Sequence, residues 1–215
     1  NLGIDDTYFA MEGPETIASH ILALFGAKIV EYTSNSHQLQ IDIQREHDAG
    51  AVFIHSSKPG VSEKEGPQWE RLIDEKYLNP SSVDHAFRLE TYRSKDQASR
   101  TSTNQLRSYF LWRCEFVQPI PEKDTKEYHD IRCVSDQRFL NKASDNTLRI
   151  YQGVMEEALF RNGPVIEMFE VVGSRERRVV IGYRMGSTYN YFSALSDLYH
   201  FYGLYSSMKY VEQFR

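Results

Sequence analysis

GPVIEMFEVVGSRERRVVIGYRMGSTYNYFSALSDLYHFYGLYSSMKYVEQFR, Gly163 to Arg215, decides how the fold is read. Val165 to Val172 is rich in apolar and aromatic residues and predicts a strand. Gly173-Ser174-Arg175-Glu176 predicts a turn, and Arg177 to Tyr183 a second strand. A helix is predicted over Tyr189–Tyr202, capped by Ser187 or Thr188, with Tyr191, Ala194, Leu195, Leu198 and Phe201 facing inward and Gly203 ending it. Met208 to Phe214 predicts a closing strand. The stretch therefore supplies most of a β-α-β-β-α-β unit, the ferredoxin-like order.

Working outward, Leu106 to Val117 alternates along its length and predicts a long strand, stopped by Pro119 and Pro121 because proline cannot donate to a ladder. Thr125 to Lys142 reads as a mixed polar connection. Ser144-Asp145 offers caps for a helix with the stripe Leu148, Tyr151, Met155, Ala158 and Leu159, and Asn162-Gly163-Pro164 stops it. Further forward, Pro14 to Phe25 predicts a helix with Gly26 as its C-terminal cap. Ala27–Thr33, Gln38–Gln44 and Ala51–His55 predict strands. Pro67 opens a helix through Trp69, Leu72, Ile73 and Tyr77, and Asn79-Pro80 ends it. His85–Tyr92 predicts another strand.

The expected fold class is α+β: two tandem ferredoxin-like (ACT-like) β-α-β-β-α-β modules, with antiparallel sheets and helices on one face. Residues 1–94 form the first module, with one strand displaced or missing, and residues 105–215 the second. The polar stretch 95–104 is a linker or a hairpin loop.

Composition narrows the function classes. The net charge of −5 and pI of about 5.8 give no polycation for a nucleic-acid backbone. No apolar run approaches the roughly 20 residues that cross a bilayer. Two cysteines, Cys114 and Cys133, are too few for a disulfide framework, and no glycosylation sequon occurs. An intracellular compartment is expected, cytoplasm ahead of mitochondrion, with no nucleic-acid or membrane partner. The N-terminus carries no signal-peptide pattern, and the ends at Asn1 and Arg215 read as those of a piece of a longer chain.

Chemistry-bearing motifs are sparse. The 12 glycines never form Gly-x-Gly, and no Cys-x-x-Cys, His-Glu-x-x-His or Gly-x-Ser-x-Gly is present. No catalytic, cofactor-binding or metal-ligating residue is therefore assigned. His47, Asp48 and His55 read as solvated turn residues rather than ligands. Arg175, Arg177 and Arg178 read as a solvated hairpin tip. The aromatics of the last helix run nearly around it. Core packing accounts for one side, and Tyr189, Tyr199, Tyr202 and Tyr205 are the candidate interface, because tyrosine tolerates one dry and one wet side.

Several strings resemble the N-terminal part of the large NAD-specific glutamate dehydrogenases of fungi. They are Leu2-Gly3-Ile4-Asp5-Asp6 with Tyr8-Phe9 and the helix to Ala27-Lys28, Ala51-Val52-Phe53 with Gly60-Val61-Ser62, and Cys114-Glu115-Phe116. The longest run from Gly163-Pro164-Val165-Ile166 through Tyr191-Phe192-Ser193-Ala194-Leu195 to Lys209-Tyr210-Val211-Glu212-Gln213-Phe214. The resemblance implies a non-catalytic, ACT-like regulatory and assembly segment. The parent would oxidatively deaminate L-glutamate to 2-oxoglutarate and ammonia with NAD, its catalytic and NAD-binding motifs lying downstream. The implied partners are the rest of the parent enzyme, further copies in a homo-oligomer, and a small-molecule effector. Two other readings stand beside this one: a free-standing amino-acid sensor and an RNA-recognition module. The second shares the element order, but its central-strand signature is replaced here by Val179-Val180-Ile181-Gly182.

Overall fold

A computed structural model describes residues 9, 12–33, 41–47, 50–57, 66–80, 82, 85–93, 105–123, 125–171, 173, 177–204 and 206–215. Its elements in chain order are α1 (Pro14–Thr33), β1 (Ile41–His47), β2 (Gly50–Ser57), α2 (Gly66–Ile73), β3 (Phe87–Arg93), β4 (Gln105–Arg113), α3 (Ile131–Val134), α4 (Gln137–Lys142), α5 (Asp145–Phe160), β5 (Val165–Glu170), β6 (Arg177–Gly182), α6 (Tyr191–Phe201) and β7 (Met208–Val211). A π-helical turn, Asp74–Leu78, continues α2, and a 3₁₀ turn, Glu127–His129, precedes α3.

The class is α+β with antiparallel sheets, as expected. A five-stranded sheet has the order β1-β2-β4-β3-β7, and β5 and β6 form a separate two-stranded sheet. This order corrects the expectation of one sheet per module with helices on one face. β4 lies between β2 and β3, and β7 pairs with β3, so strands from both sides of 95–104 share one ladder. β3 and β4 are antiparallel neighbours consecutive in the chain, the relationship a hairpin connection requires; residues 95–104 themselves lie outside the described residues. The physical reason is burial on both faces. Ala51, Phe53, Leu89, Tyr109 and Leu111 pack under α2, its π turn and Phe192 of α6. The alternate residues, among them Tyr92, Phe110, Val52 and Trp112, pack under Ile17 of α1. A strand buried on both sides stays in the middle of a sheet.

The β2-α2-β3-β4 run is a split β-α-β unit, completed from far along the chain by α6 and β7. In a ferredoxin-like sheet the last strand pairs with the first. Here β7 pairs with β3, and β1 lies beside β2. The segment between β4 and α6 forms a satellite layer. Within it, Val154 and Ala158 of α5 pack on Val165 and Val180 of the β5–β6 hairpin, and Ile131, Phe139 and Leu148 join α3, α4 and α5.

Local differences from the expected elements have local causes. α1 does not stop at Gly26 and runs through the predicted strand 27–33, because that glycine is not in the left-handed conformation that closes a helix. The β-branched residues there follow the helix already nucleated. Two short helices replace the polar connection over 125–142. Asp130 caps α3 through the amide of Arg132, and Asp136 caps α4 through the amides of Arg138 and Phe139. Ser144 caps α5, accepting from the Thr147 amide at 3.2 Å. Gly50 has a structural requirement. A Cβ there would overlap the Leu111 carbonyl oxygen across the β2–β4 ladder.

Candidate interface and buried ion network

α6 is positioned from its first turn. Its N-cap, Asn190, sits in the left-handed region at φ 54°, and its side chain caps nothing. This corrects the expected Ser187 or Thr188 cap. The π turn after α2 brings Asp74 to the helix start, where its carboxylate accepts from the Ser193 amide at 2.8 Å. Asn79 and Asn190 exchange hydrogen bonds beside it: Asn79 Nδ2 donates to Asn190 Oδ1 at 2.6 Å, and Asn190 N donates to Asn79 Oδ1 at 3.0 Å. Arg71 of α2 pairs with Asp197 of α6 at 3.1 Å, in water.

This anchoring sets the rotation of the helix. Phe192 enters the core edge-on to Tyr109, with ring centroids 6.5 Å apart. Lys209 of β7 lies 5.0 Å over the Phe192 ring and donates to Glu70 of α2 at 3.2 Å and to Ser196. Tyr109 donates to the same Glu70 at 3.2 Å. Ala194, Leu198 and Phe201, expected to face inward, are turned to solvent.

Of the candidate interface tyrosines, Tyr189 is 69% exposed and Tyr202 is 66% exposed. Tyr199 is half-buried, and Tyr205 lies outside the described residues. Phe201 and Tyr202 pack edge to face at 5.2 Å on the surface, with Leu198 and Leu204 also exposed. Tyr191 is half-buried and lies 4.2 Å from Tyr183. The structure thus brings an uncharged aromatic and aliphatic surface to one side of α6.

On the opposite face of the sheet lies a constellation that sequence reading missed. Arg88 is 3% exposed and donates through Nη2 and Nε to Glu212 at 2.8 and 3.3 Å. Arg88 also contacts Glu90 at 2.8 Å and Asp136 at 4.0 Å. Lys142 of α4 reaches both oxygens of Glu12 at 2.7 Å and Glu90 at 3.1 Å. The Tyr92 hydroxyl lies 2.9 Å from Glu12 and 2.8 Å from Glu90. Four carboxyl groups thus face two cations. Burial, and the Glu90 carboxylate beside it, push the Glu12 carboxyl up to about 7. Burial pushes Glu212 up to about 7 against the pull of Arg88. Burial would raise Glu90 too, but the hydrogen bond from Glu12 and the charges of Arg88 and Lys142 outweigh it and hold it low. His20, stacked on Phe110 at 3.4 Å, is lowered by burial to about 4 and is neutral at pH 7. Arg88 and Glu90 share one side of β3, opposite Phe87, Leu89 and Thr91. The signal available in sequence was a charged pair on a strand that Leu89 and Thr91 make central.

What this arrangement does is join layers. Asp136 caps α4, accepts from the Glu115 amide at 2.6 Å and faces Arg88. Phe116 and Asp136 form a β-bridge, and Arg215 N donates to the Val134 carbonyl at 3.0 Å. Each charged group of the network has a protein partner within it. Among the described residues no cluster of three His, Cys, Asp or Glu side chains is arranged to hold a metal ion. His55 is buried in β2 rather than solvated in a turn, and Asp48 lies outside the described residues. Arg177 is solvated at the hairpin end as expected, pairing with Glu170 at 3.4 Å.

Comparison with known proteins fits this picture of a tied, multi-layer segment. The family described as NAD-specific glutamate dehydrogenase, second domain, matches residues 41–215. The family described as NAD-dependent glutamate dehydrogenase, N-terminal domain, matches residues 1–30. An NAD-specific glutamate dehydrogenase of Neurospora crassa is 41% identical over 99% of this chain and 20% of its own length. A Schizosaccharomyces pombe protein named as a probable NAD-specific glutamate dehydrogenase has the same identity and coverage. Glutamate dehydrogenase 2 of Dictyostelium discoideum is 32% identical over 99% of this chain and 24% of its own length. No solved structure matches. The chain spans about a fifth of the length of these Neurospora and Schizosaccharomyces relatives. It belongs to the NAD-specific glutamate dehydrogenase family, of which it covers an N-terminal segment.

Proposed function

We infer that these residues are a non-catalytic assembly and regulatory segment of an enzyme that oxidatively deaminates L-glutamate to 2-oxoglutarate and ammonia with NAD. The observation that carries this reading is how the polar side chains are used. Arg88, Lys142, Glu12, Glu90, Asp136 and Glu212 are spent on one another, tying the satellite layer to the sheet. NAD and the reacting carbon belong to the part of the parent outside these residues. The ACT-like element of the reading rests on β2-α2-β3-β4 with α6 and β7, a ferredoxin-like arrangement whose last strand has moved to the other edge. An effector and a homo-oligomer belong to the same reading, as does an intracellular setting, which suits the free thiols Cys114 and Cys133. An RNA-recognition role is disfavoured because such modules bind on an open sheet face. Here α1 and Lys142 cover the face opposite α2 and α6.

The test is to assay the purified segment, shown folded by circular dichroism, beside its full-length parent. The parent should reduce NAD with glutamate and the segment should not. Turnover by the segment overturns the reading. Thermal-shift screening of glutamate, other amino acids and adenine nucleotides then separates sensing from assembly, since a ligand of the folded state raises Tm by mass action.

A further inference from the structure

The two sides of α1 pose a packing problem. Ile17, His20, Ala23 and Leu24 lie on the side turned to the protein, with Ile17 against the Tyr92–Phe110 cluster and His20 stacked on Phe110. Ala18, Ile21, Leu22, Phe25 and Ile29 recur at helical spacing on the other side, and all are exposed. From Thr16 to Ala27 the helix has no acidic residue, lysine or arginine, and its one histidine is held neutral by burial. A helix that is apolar all round is buried all round. No described helix is long and apolar enough to cross a membrane, and Thr16 to Ala27 lacks the lysine and arginine face of a helix that lies on a membrane surface, which favours protein as the cover.

We propose that the stripe Ala18, Ile21, Leu22, Phe25 and Ile29 is the seam on which the remainder of the family's N-terminal domain packs, making α1 a helix shared between two domains. The proposal rests on the family assignment. The N-terminal domain matches residues 1–30 and the second domain begins its match at 41, so the boundary falls at the end of α1 (Pro14–Thr33). Thirty residues are fewer than the roughly 40 at which a chain builds a core unaided, so the matched part is a fraction of that domain. α1 therefore carries an inward face for the second domain's sheet and an outward face for the domain to which it belongs by sequence. A permanent contact within one chain suits an uncharged aliphatic and aromatic stripe, as obligate interfaces are the more apolar kind.

The experiment uses the full-length parent. A photo-crosslinking amino acid is placed at position 22, 25 or 160; Phe160 is exposed but lies on α5, away from the stripe. Crosslinked peptides are mapped by mass spectrometry. Positions 22 and 25 should join, within one chain, to peptides preceding residue 1, and position 160 should not. Crosslinks from 22 and 25 to a second copy, to peptides following residue 215, to lipid, or to nothing would each overturn the proposal. Glutamate oxidation is measured on the same preparation. A seam found in a parent without that activity sinks the functional reading and leaves the seam standing. As a second measurement, Phe25→Asp should raise protease sensitivity of the preceding segment several-fold and Phe160→Asp should leave it unchanged; equal effects overturn the proposal.

Discussion

The carboxylate of Asp74 accepts the backbone amide hydrogen of Ser193 at 2.8 Å, across 119 residues of sequence. The first amides of a helix lack partners within it, and an acidic group there also meets the positive end of the helix dipole. Because Asn190 offers no side-chain cap, α2 supplies one to α6 through its π turn. Asp74→Ala should destabilise the protein by about 1–2 kcal/mol. Asp74→Asn keeps an acceptor oxygen and should cost less. Denaturant unfolding measures both, and amide exchange at Ser193 should accelerate in the alanine variant. An unchanged unfolding midpoint for Asp74→Ala would show that the bond adds nothing net.

Arg88 is the cation of a pair whose removal leaves Glu90 and Glu212 buried without it. Deleting one partner of a buried ion pair typically costs 3–5 kcal/mol, so Arg88→Met should lie in that range. Arg88→Lys should be intermediate, because an ammonium cannot reproduce the two-pronged contact with Glu212. Glu212→Gln should cost less than Arg88→Met, since the glutamine still accepts and one like charge is gone. Equal losses for the arginine and glutamate variants would refute this ordering.

The same network sets a pH dependence. The groups facing one another are Glu12 from just before α1, His20 from α1, Arg88, Glu90 and Tyr92 from β3, Asp136 and Lys142 from α4 and its cap, and Tyr210 and Glu212 from β7 and the residue after it. Glu12 and Glu212 stand at about 7 when folded against 4.5 ordinarily, so the folded state holds protons the unfolded chain has released. Stability from these two is full below the ordinary value and falls as pH rises through 7. His20, at about 4 against 6.5, acts in the opposite sense, adding stability between those values. Each group sets a limiting slope of ~1.4 kcal/mol per pH unit. The net is a loss of roughly 2–3 kcal/mol between pH 5 and 8, more than half of it below pH 6.5 and tapering off above about 7. Glu12→Gln or Glu212→Gln should flatten the curve and His20→Phe should steepen it. Stability rising from pH 6.5 to 8 would contradict the assignment.

Gly50 is held to a hydrogen side chain by the backbone of β4. A methyl group meets the Leu111 carbonyl and not a flexible side chain, so the β2–β4 ladder itself must shift. Gly50→Ala should cost about 1–3 kcal/mol, the range of overpacked sites. Gly153→Ala, where a Cβ has open space inside α5, should be neutral or slightly stabilising. Thermal unfolding of the two variants side by side decides the point.

The elements were legible in sequence where the apolar period was clean. Ser144 and the stripe of α5, the alternation of β4, and the strand pair at 165–170 and 177–182 all lie where the spacing puts them. Strand order was not legible, because period-2 patterning fixes which face a residue takes and not which strand lies beside it. The β-α-β-β-α-β order after residue 105 was present, yet β4 and β7 paired with strands from the front of the chain. The rotation of α6 escaped for a related reason. Its apolar residues run round the helix, and the deciding contacts, Asp74 and Lys209, come from distant sequence. The ion network escaped because burial of Arg88 and Glu90 depends on α1 and α4 closing over β3.

α6 carries the last prediction. Ala194, Leu198, Phe201 and Tyr202 form one exposed helical face, with Tyr189 and Leu204 at its ends. Among the described residues Phe201 belongs to no core cluster, and its ring partner is Tyr202, itself exposed. A solvent-facing aromatic pair of this kind adds little to the segment's own stability, while a partner gains a buried anchor. Phe201→Asp should therefore leave the segment's unfolding midpoint unchanged to within about 0.5 kcal/mol. In the full-length parent it should weaken assembly or domain docking at least tenfold, read by sedimentation and by protease sensitivity at the segment's edges. Phe192→Ala should do the reverse, destabilising the segment by about 3–5 kcal/mol through the cavity it leaves under Tyr109. Loss of segment stability in Phe201→Asp would place that ring in a core rather than at an interface.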